Sequence, residues 1–346
     1  MASARRWGLA LIGAVALILG AGVPPSQAAD PVPVRLILNW KFEGPNAPFF
    51  LAEDRGYFAA NGVKIQLDAG EGSSAPPSRI ASGTYDAGFG DITSMIEFGA
   101  KNPQVPMRTV YMLYNKPPLV VVSMKTKGLK KPADLVGKTL GAPVFDAGYR
   151  LWPTFAKAAG IDAGAVKWIN MQPNLRESLL IKGDVDGVTG YDLTVGFSLK
   201  AIGVSLADVD MMYYGDYGID VYSNAIIVSK ALIDKNPQAV KGLVAAINQG
   251  WRDSMADPDA AITSLLKRDG LLKRDVERER LDWAVKRLIA TPEAAEIGLG
   301  AVKPERLERT IEIMHTAFAL PTRPSAAEVF DPSFLPPVKD RTVAMK

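Results

Sequence analysis

The sequence has no cysteine and only one histidine among its 346 residues. Without cysteine, disulfides, thiol nucleophiles and a lipid-modified N-terminal cysteine are excluded. The histidine, His315, follows the apolar helical stripe of Leu307, Ile311 and Met314, which predicts a packing role rather than a Ser-His-Asp site. No phosphate loop, dinucleotide fingerprint or metal-ligand spacing occurs either. We therefore expect a binding protein without catalytic residues, metal or cofactor, rather than an enzyme.

One long apolar run is present, and it lies at the N-terminus. Two arginines precede the apolar residues 7–23, and Ser26 and Ala28 occupy the −3 and −1 positions of a small-residue cleavage site. The run is shorter than the ~20 apolar residues that a membrane span needs. We expect residues 1–28 to be a cleaved signal peptide and the mature protein to be periplasmic; the alternative is a retained anchor.

The sequence also lacks a large excess of either positive or negative charge. Removal of residues 1–28 takes away two arginines, so 40 basic residues become 38 against 37 acidic ones, a net charge of +1. A nucleic-acid-binding protein needs a strong basic excess, so we expect no such partner. The 318 residues that remain (346 − 28), in a chain that is 48% hydrophobic, are enough for two domains.

Alternating strand and helix patterns fill the first two thirds of the chain. In the first third, strands are predicted at 34–38, 63–67 and 86–89, and helices at 47–60 and 76–83. In the middle, strands are predicted at 119–124, 138–142, 166–171 and 185–189, and helices at 149–159 and 174–182. This order predicts α/β lobes with mostly parallel sheets. The last third is helical, with one helix starting at Asn236-Pro237.

Two segments resemble each other at an offset of 100 residues. RIASGTYDAGFGD (79–91) and LLIKGDVDGVTGYD (179–192) share a glycine at 83 and 183, an aspartate at 86 and 186, and a glycine at 90 and 190. Three matches in so short a window can arise by chance. If the repeat is real, the chain contains two similar α/β lobes.

Candidate ligand residues follow the predicted strands. In open α/β sheets, ligands bind beyond the carboxyl ends of the strands, so the loops there should form opposite walls of one cleft. The residues that we expect on these walls are Asn39, Trp40, Asp91, Thr93, Tyr191 and Asp192.

Two further segments contain groups that could bind a ligand. The turn GEGSS (70–74) opens a helix whose free N–H donors could hold an acceptor through Gly72, Ser73 and Ser74; alternatively, a serine only caps that helix. The segment YYGDYGIDVYSN (213–224) is rich in tyrosine, and Tyr217 and Asp220 could recognise a flat polar ring. The alternative is that its tyrosines only pack.

These motifs, taken together, resemble those of one family. The relevant stretches are LNW…APFFLAEDRGYFAANGVKIQL, GEGSSAPPSRIASGTYDAGFGD, KKPADLVGKTLGAP, GDVDGV, YGIDVYSN and the final FLP. They are similar to bacterial extracytoplasmic substrate-binding proteins of ABC importers, in the branch related to thiamine-pyrimidine synthases. The resemblance covers nearly the whole chain after residue 28.

The resemblance implies the type II periplasmic-binding-protein fold, an α/β fold with a ligand cleft between two lobes. Two hinge crossovers, near 114–118 and 217–224, would join the lobes. Lobe 1 then comprises residues 29–117 and returns at 223–346 with the C-terminal helices. Lobe 2 comprises residues 118–222.

The resemblance also implies a ligand and partners. Pyrimidine-binding members hold the ring between a tryptophan after the first strand and a tyrosine of the second lobe, with an acid nearby; the matching residues are Trp40, Tyr191 and Asp192. The implied solute is small and aromatic or heteroaromatic, and the best candidate is a thiamine pyrimidine precursor such as a formylaminopyrimidine. The implied partners are an ABC permease and its ATPase, and the binding protein itself is expected to be a monomer.

Position 46 departs from the family pattern. Many relatives have histidine before APF, whereas this chain has Asn46. The synthases of the branch use that histidine with a pyridoxal cofactor and a cysteine-rich motif, so their activity is not implied here. Asn46 can still bind a ligand by hydrogen bonds, but the departure leaves the solute open. The alternatives are an alkanesulfonate or aromatic carboxylate, a pyrimidine-synthesis enzyme, and a secreted sensory partner of the same fold.

Overall fold

The computed structural model describes residues 30–343, so the predicted signal peptide lies outside the described residues. The strands are β1 (Val32–Ile37), β2 (Val63–Asp68), β3 (Ala87–Asp91), β4 (Met107–Met112), β5 (Leu119–Met124), β6 (Thr139–Ala142), β7 (Lys167–Asn170), β8 (Gly187–Tyr191), β9 (Val209–Tyr213) and β10 (Asn224–Ser229). The α-helices are α1 (Ala47–Asp54), α2 (Tyr57–Ala60), α3 (Pro76–Ala81), α4 (Ile92–Lys101), α5 (Ala147–Arg150), α6 (Trp152–Ala158), α7 (Arg176–Lys182), α8 (Asp192–Ala201), α9 (Lys230–Lys235), α10 (Pro237–Ala256), α11 (Pro258–Arg268), α12 (Arg274–Ala284), α13 (Pro292–Ile297), α14 (Pro304–Ala317) and α15 (Ala326–Val329).

The strands form two five-stranded sheets of the same design. The order is β2-β1-β3-β10-β4 in one sheet and β7-β6-β8-β5-β9 in the other. In each sheet the first three strands are parallel, and the fourth is antiparallel to both of its neighbours. We call the first sheet with its helices lobe 1 and the second with its helices lobe 2. The predicted α/β fold with two lobes is confirmed.

The chain passes between the sheets twice. It leaves β4 for β5 through residues 113–118 and returns from β9 to β10 through residues 214–223. The lobe boundaries predicted from the sequence fall in these two connections. The sequence analysis did not predict β4, β9 and β10, which adjoin the two connections and fall outside the alternating strand–helix pattern.

The segments that resemble each other occupy equivalent places in the two lobes. The helices α3 and α7 begin at residues 76 and 176, the strands β3 and β8 at 87 and 187, and the helices α4 and α8 at 92 and 192. The offset of 100 residues therefore holds across three consecutive elements. The repeat predicted from the sequence is a property of the fold rather than a chance match.

The matched residues also make equivalent contacts. Asp86 accepts a hydrogen bond from the backbone N–H of Arg35 at 2.9 Å, and Asp186 accepts one from the N–H of Thr139 at 3.0 Å. A Cβ at Gly90 would lie 2.7 Å from Pro76, and a Cβ at Gly190 would lie 2.8 Å from Arg176 Nη1. In each lobe the glycine thus leaves room for a neighbouring side chain against the strand backbone.

Two predicted helices are interrupted. Residues 47–60 divide into α1 and α2 around Gly56, whose φ of 71° lies in the left-handed region. Residues 149–159 belong to α5, which already begins at residue 147, and α6. Pro153 lies in the first turn of α6 and has no N–H to continue the preceding helix.

The long helix α10 packs its apolar face on lobe 1. The apolar stripe of this helix is buried at Val240, Leu243, Val244, Ile247 and Trp251. Phe49 of α1 meets Trp251 edge to face, with ring centroids 6.4 Å apart. This core fixes α1 and, with it, the loop after β1 that carries the first candidate ligand residues.

Candidate functional site

A small cavity lies between the carboxyl ends of β1 and β8, strands of different lobes. Only about 10 Å³ of it is open to the centre of a water molecule. The lining residues are Asn39, Trp40, Gly72 and Ser73 of lobe 1, and Asp146, Arg176, Tyr191 and Thr194 of lobe 2. Five of these are among the residues predicted from the sequence. The three that are not predicted, Asp146, Arg176 and Thr194, all belong to lobe 2.

The loop after β1 forms the first wall. Trp40 lines the cavity and is only 5% exposed. Asn46 lies behind this wall: its Nδ2 donates to Asn39 Oδ1 at 3.1 Å, and its Oδ1 accepts from the N–H of Glu43 at 3.0 Å. Asn46 therefore holds Asn39 in place and is not itself among the lining residues.

The loop after β2 meets the other lobe at the edge of the cavity. The N–H of Ser74 donates to the carbonyl of Phe145 in lobe 2 at 3.1 Å, and Ser74 Oγ pairs with Ser94 Oγ at 2.6 Å. A Cβ at Gly72 would lie 2.2 Å from the Phe145 carbonyl oxygen. Only glycine allows the two lobes to approach this closely.

The serines of that loop do not cap the following helix. The N-cap residue of α3 is Ala75, without a side-chain hydrogen bond, and the helix has only six residues. The alternative of a capping role for Ser73 or Ser74 is therefore excluded. Ser73 lines the cavity, and its Oγ lies 3.5 Å from Asn224 Nδ2.

Tyr191 reaches from lobe 2 to residues of lobe 1 and of the second crossover. Its hydroxyl donates to Asn224 Oδ1 at 2.6 Å, pairs with Ser223 Oγ at 2.9 Å, and lies 3.3 Å from Asp91 Oδ2. Burial raises the pKa of Tyr191 well above its ordinary value, so the hydroxyl stays a donor. One side chain thus lines the cavity and fastens the lobes together.

Asp91 and Thr93 lie next to the Tyr191 hydroxyl contacts, at the start of α4. Asp91 caps α4 by accepting from the N–H groups of Thr93 and Ser94 at 2.9 and 3.2 Å, and the Thr93 hydroxyl donates to the same oxygen. Burial raises the pKa of Asp91. The structure places both residues beneath Tyr191 rather than on the cavity surface.

Asp146 and Arg176 form the second wall. The Arg176 guanidinium lies over the Trp40 ring, 4.8 Å from its centroid, and the residue is 1% exposed. Its Nε and Nη2 donate to Glu177 Oε1 at 3.0 and 2.8 Å. Asp146 accepts from the Tyr149 N–H at 2.9 Å, and burial raises its pKa although Arg176 opposes the rise. A cation thus faces the tryptophan across the cleft.

Asp192 is held by aromatic side chains outside the cavity lining. Its Oδ2 accepts from Trp283 Nε1 of α12 at 3.0 Å and from the Tyr213 hydroxyl at 3.1 Å. Burial raises the pKa of Asp192, against these hydrogen bonds. The contact joins α8 of lobe 2 to the C-terminal helices.

A buried charge cluster continues this contact between the lobes. The Thr194 hydroxyl of lobe 2 donates to Glu43 Oε1 at 3.0 Å, and Arg280 of α12 pairs with Glu43. Glu277 accepts from the N–H of Gly44 at 2.6 Å and pairs with Arg280 at 3.3 Å. Thr194 also lines the cavity, so this contact between the lobes lies beside the site.

Two predicted ligand residues lie elsewhere. Tyr217 is half-buried and packs edge-on against Phe155, with ring centroids 5.4 Å apart. Asp220 is exposed and pairs with Arg306 at 2.6 Å. The structure does not bring either residue to the cavity lining, because the second crossover turns them toward its own neighbours.

Two larger depressions lie on the surface. One, of about 530 Å³, lies between α10 and residues 333–340; the other, of about 620 Å³, lies between α12 and residues 342–343. Neither is lined by residues of the lobe 2 sheet or its helices. Closure of the lobes cannot enclose a solute there, so the cavity between the lobes is the better candidate site.

Asp146 is the residue that the repeat could have revealed. The helices α1 and α5 begin at residues 47 and 147, so Asp146 occupies the position of Asn46 in the other lobe. Arg176 likewise corresponds to Pro76, at the start of the repeated helix. Extending the offset of 100 beyond the quoted segments would have marked both residues as equivalents of lobe 1 positions, although Asn46 and Pro76 themselves do not line the cavity.

The described part of the chain shows neither a metal cluster nor a membrane-spanning helix. Residues 30–343 contain no group of three or more His, Cys, Asp or Glu side chains placed to hold a metal ion. Over the same residues, no helix has the length and the apolar character needed to cross a membrane. The chemistry of the site therefore rests on its aromatic, amide, carboxylate and guanidinium groups.

Comparison with known proteins gives a family and a fold. A family model described as NMT1/THI5 like matches residues 45–261, which is more than half of the chain. The riboflavin-binding protein RibY of Chloroflexus aurantiacus is 26% identical over 90% of this chain and 89% of its own. The formylaminopyrimidine-binding protein of Halalkalibacterium halodurans is 24% identical over 74% and 77%. The alkanesulfonate-binding protein SsuA of Xanthomonas axonopodis pv. citri, solved with MOPS, superposes with a TM-score of 0.69 at 15% identity, over 88% of this chain and 99% of its own.

Proposed function

Because the chain belongs to the NMT1/THI5-like family, we propose that it is the solute-binding component of an ABC importer and captures a small aromatic or heteroaromatic solute. The best candidate is a thiamine pyrimidine precursor such as a formylaminopyrimidine. The observation that carries the proposal is the position of Trp40 in a cavity between two lobes, opposite Arg176. The relatives that bind riboflavin and formylaminopyrimidine support a flat solute.

The geometry supports a route by which the two lobes could capture a ring. In this structure the Arg176 guanidinium lies over the face of Trp40, and only about 10 Å³ of the cavity is open to the centre of a water molecule. A solute therefore enters when the lobes separate, which moves the guanidinium off the indole face and lets the ring lie there with Arg176 at its edge. Stacking contributes ~0.5–1.5 kcal/mol beyond the burial of apolar area at ~25 cal/mol per Å².

An alkanesulfonate or aromatic carboxylate is the less favoured solute. Its proposed holder is the start of α3, which has only six residues and no capping side chain. The carboxylate of Asp146 also lines the same cavity and would repel an anion. The fold likeness to an alkanesulfonate-binding protein, at 15% identity, does not bear on the solute.

We propose a binding role rather than synthase activity. His315 lies on α14, away from the lining of the cavity, and the chain has no cysteine. Incubation with pyridoxal phosphate should therefore yield no pyrimidine product, as judged by mass spectrometry. A sensory role is the remaining rival, and solute uptake that depends on a cognate permease and ATPase distinguishes transport from sensing.

We also propose export to the periplasm through the signal peptide at residues 1–28, and action as a monomer. Protein recovered from the periplasm should begin at or near Ala29, as N-terminal mass spectrometry will show. Intact residues 1–28 in that material would contradict the proposal of a secreted binding protein.

The main test is the affinity of a Trp40→Ala variant. Removing the indole deletes stacking and ring burial, so the affinity for the formylaminopyrimidine should fall at least about tenfold, since ~1.4 kcal/mol is tenfold. Isothermal titration calorimetry measures the affinity, and circular dichroism melting checks the fold. The control is Trp168→Ala, a half-buried tryptophan of lobe 2 that packs on Tyr149 and Trp152. Equal affinity in Trp40→Ala and wild type would refute the site.

A further inference from the structure

The geometry points to Asp146 and Arg176 as a hydrogen-bonding pair that selects a neutral heteroaromatic ring whose edge carries an acceptor beside an N–H donor, and that disfavours anions. This inference rests on the proposed function and specifies the solute class of the same cavity. It assigns ligand selection to two residues of lobe 2 that the sequence analysis did not identify.

The first observation is the placement of two polar atoms. Arg176 Nη1 and Asp146 Oδ2 lie 3.8 Å apart, beyond hydrogen-bond distance, and both side chains line the cavity. The hydrogen bonds of Arg176 run from Nε and Nη2 to Glu177 Oε1. A donor atom and an acceptor atom are thus presented side by side in the cavity.

The second observation is the orientation of the Asp146 carboxylate. Its Oδ1 accepts from the Tyr149 N–H at 2.9 Å and from the Thr189 hydroxyl at 2.8 Å. The side chain is 5% exposed. Both hydrogen bonds go to Oδ1. The other oxygen, Oδ2, is therefore the one that can accept from a solute.

The third observation is the balance of charge. Glu177 already neutralises the Arg176 guanidinium, and Arg176 is 1% exposed. Asp146 adds a further carboxylate to the lining. An anionic solute would meet this carboxylate without a free cation to compensate, whereas a neutral ring with an N–H donor gains a hydrogen bond to it.

An aminopyrimidine has the matching edge. Its ring nitrogen can accept from Arg176 Nη1 while the adjacent exocyclic amine donates to Asp146 Oδ2. Both hydrogen bonds involve a charged partner and are buried, where loss of a partner is most costly. A ring with a methyl group in place of the amine keeps the shape and loses the donor.

The test uses four probes in isothermal titration calorimetry at mildly alkaline pH, where the aminopyrimidine is neutral. The probes are 4-amino-2-methylpyrimidine, the near-isosteric 2,4-dimethylpyrimidine, benzoate and benzenesulfonate. We expect the aminopyrimidine to bind at least about tenfold more tightly than the dimethyl analogue. The two anions should bind more weakly than either pyrimidine.

Asp146→Asn is the decisive variant. The Tyr149 N–H requires an acceptor, so the amide oxygen takes the place of Oδ1 and the amide nitrogen faces the solute. The variant should lose the preference for the amine over the methyl group, leaving a ratio near one. The control is Asp162→Asn, an exposed lobe 2 carboxylate that accepts from the Gly164 N–H at 3.0 Å, and it should keep the preference.

Arg176 is tested in the double variant Arg176→Met/Glu177→Gln, which removes one charge of each sign and leaves no buried carboxylate unpaired at Glu177. Both pyrimidines should then bind at least about tenfold more weakly, because each accepts from Nη1. Melting curves show whether the double variant folds. If it does not fold, the result for Asp146→Asn alone tests the inference.

An unchanged preference in Asp146→Asn, or tighter binding of an anion by the wild type, overturns this inference and leaves the importer proposal standing. If no heteroaromatic solute binds, including the formylaminopyrimidine, the proposed function and this inference both fail.

Discussion

At the residue scale, Tyr191 performs two tasks. Its ring lines the cavity, and its hydroxyl holds Asn224 and Ser223 across the junction of the lobes. The interpretation from sequence assigned it only a stacking role. A residue with both tasks links the presence of a solute to the closed arrangement.

Tyr191→Phe separates the two tasks, because it keeps the ring and removes the hydroxyl. Asn224 Oδ1 loses its donor in a buried place, so the free energy of unfolding should fall by about 1–3 kcal/mol. Urea denaturation measures the change. Tyr217→Phe is the control, since that ring packs at the edge of Phe155 and should have little effect. Equal stability of Tyr191→Phe and wild type would show that the hydroxyl contacts do not hold the lobes.

At the element scale, the repeat shows how helix ends are set. The helices α3 and α7 are followed by Gly83 and Gly183, with φ of 74° and 79°. This left-handed conformation is open to glycine and strained for residues with a Cβ. Each glycine stops its helix and directs the chain into the strand that ends at the cavity.

Gly183→Ala tests this role without a steric clash. The nearest atom to an added Cβ is Lys127 Nζ at 3.8 Å, so the cost comes from the backbone conformation alone. We expect the free energy of unfolding to fall by about 1–2 kcal/mol. Gly99→Ala is the matched control, because Gly99 lies within α4 with open space around it and should be neutral or stabilising by up to ~1 kcal/mol. An equal response of the two variants in urea denaturation would contradict the conformational account.

At the scale of the whole molecule, closure brings the backbones of the two lobes into contact. The N–H of Ser74 donates to the Phe145 carbonyl, and Gly72 leaves just enough room for this approach. Asp192 and Thr194 bridge the lobes on another side, to Trp283 and Glu43. Contacts between the lobes therefore lie on more than one side of the cavity.

Gly72→Ala should hold the lobes apart. The new Cβ would lie 2.2 Å from the Phe145 carbonyl oxygen, a distance that atoms do not adopt. With saturating solute, solution scattering should give a larger radius of gyration for the variant than for wild type, and calorimetry should give weaker binding. Gly215→Ala, which has no atom within 4 Å of its Cβ, is the control. Superimposable scattering curves for Gly72→Ala and wild type would contradict the closed contact.

The sequence by itself indicated seven of the ten strands and the two segments that match at an offset of 100. Gly83 and Gly183 act locally, because a residue in the left-handed conformation ends the helix just before it in the chain. Trp40 could likewise be placed at a strand end from its position alone. Such features depend on residues that are close together in the sequence, so a sequence pattern can predict them.

Only the tertiary structure decided which side chains share the cavity. Asp146 and Arg176 come to Trp40 from more than 100 residues away, and Asp192, Tyr217 and Asp220 are drawn to other partners. Strand β10 joins lobe 1 after the chain has built lobe 2. These outcomes depend on how two separately formed sheets pack, and the free energy of that packing is spread over many long-range contacts that no local pattern encodes.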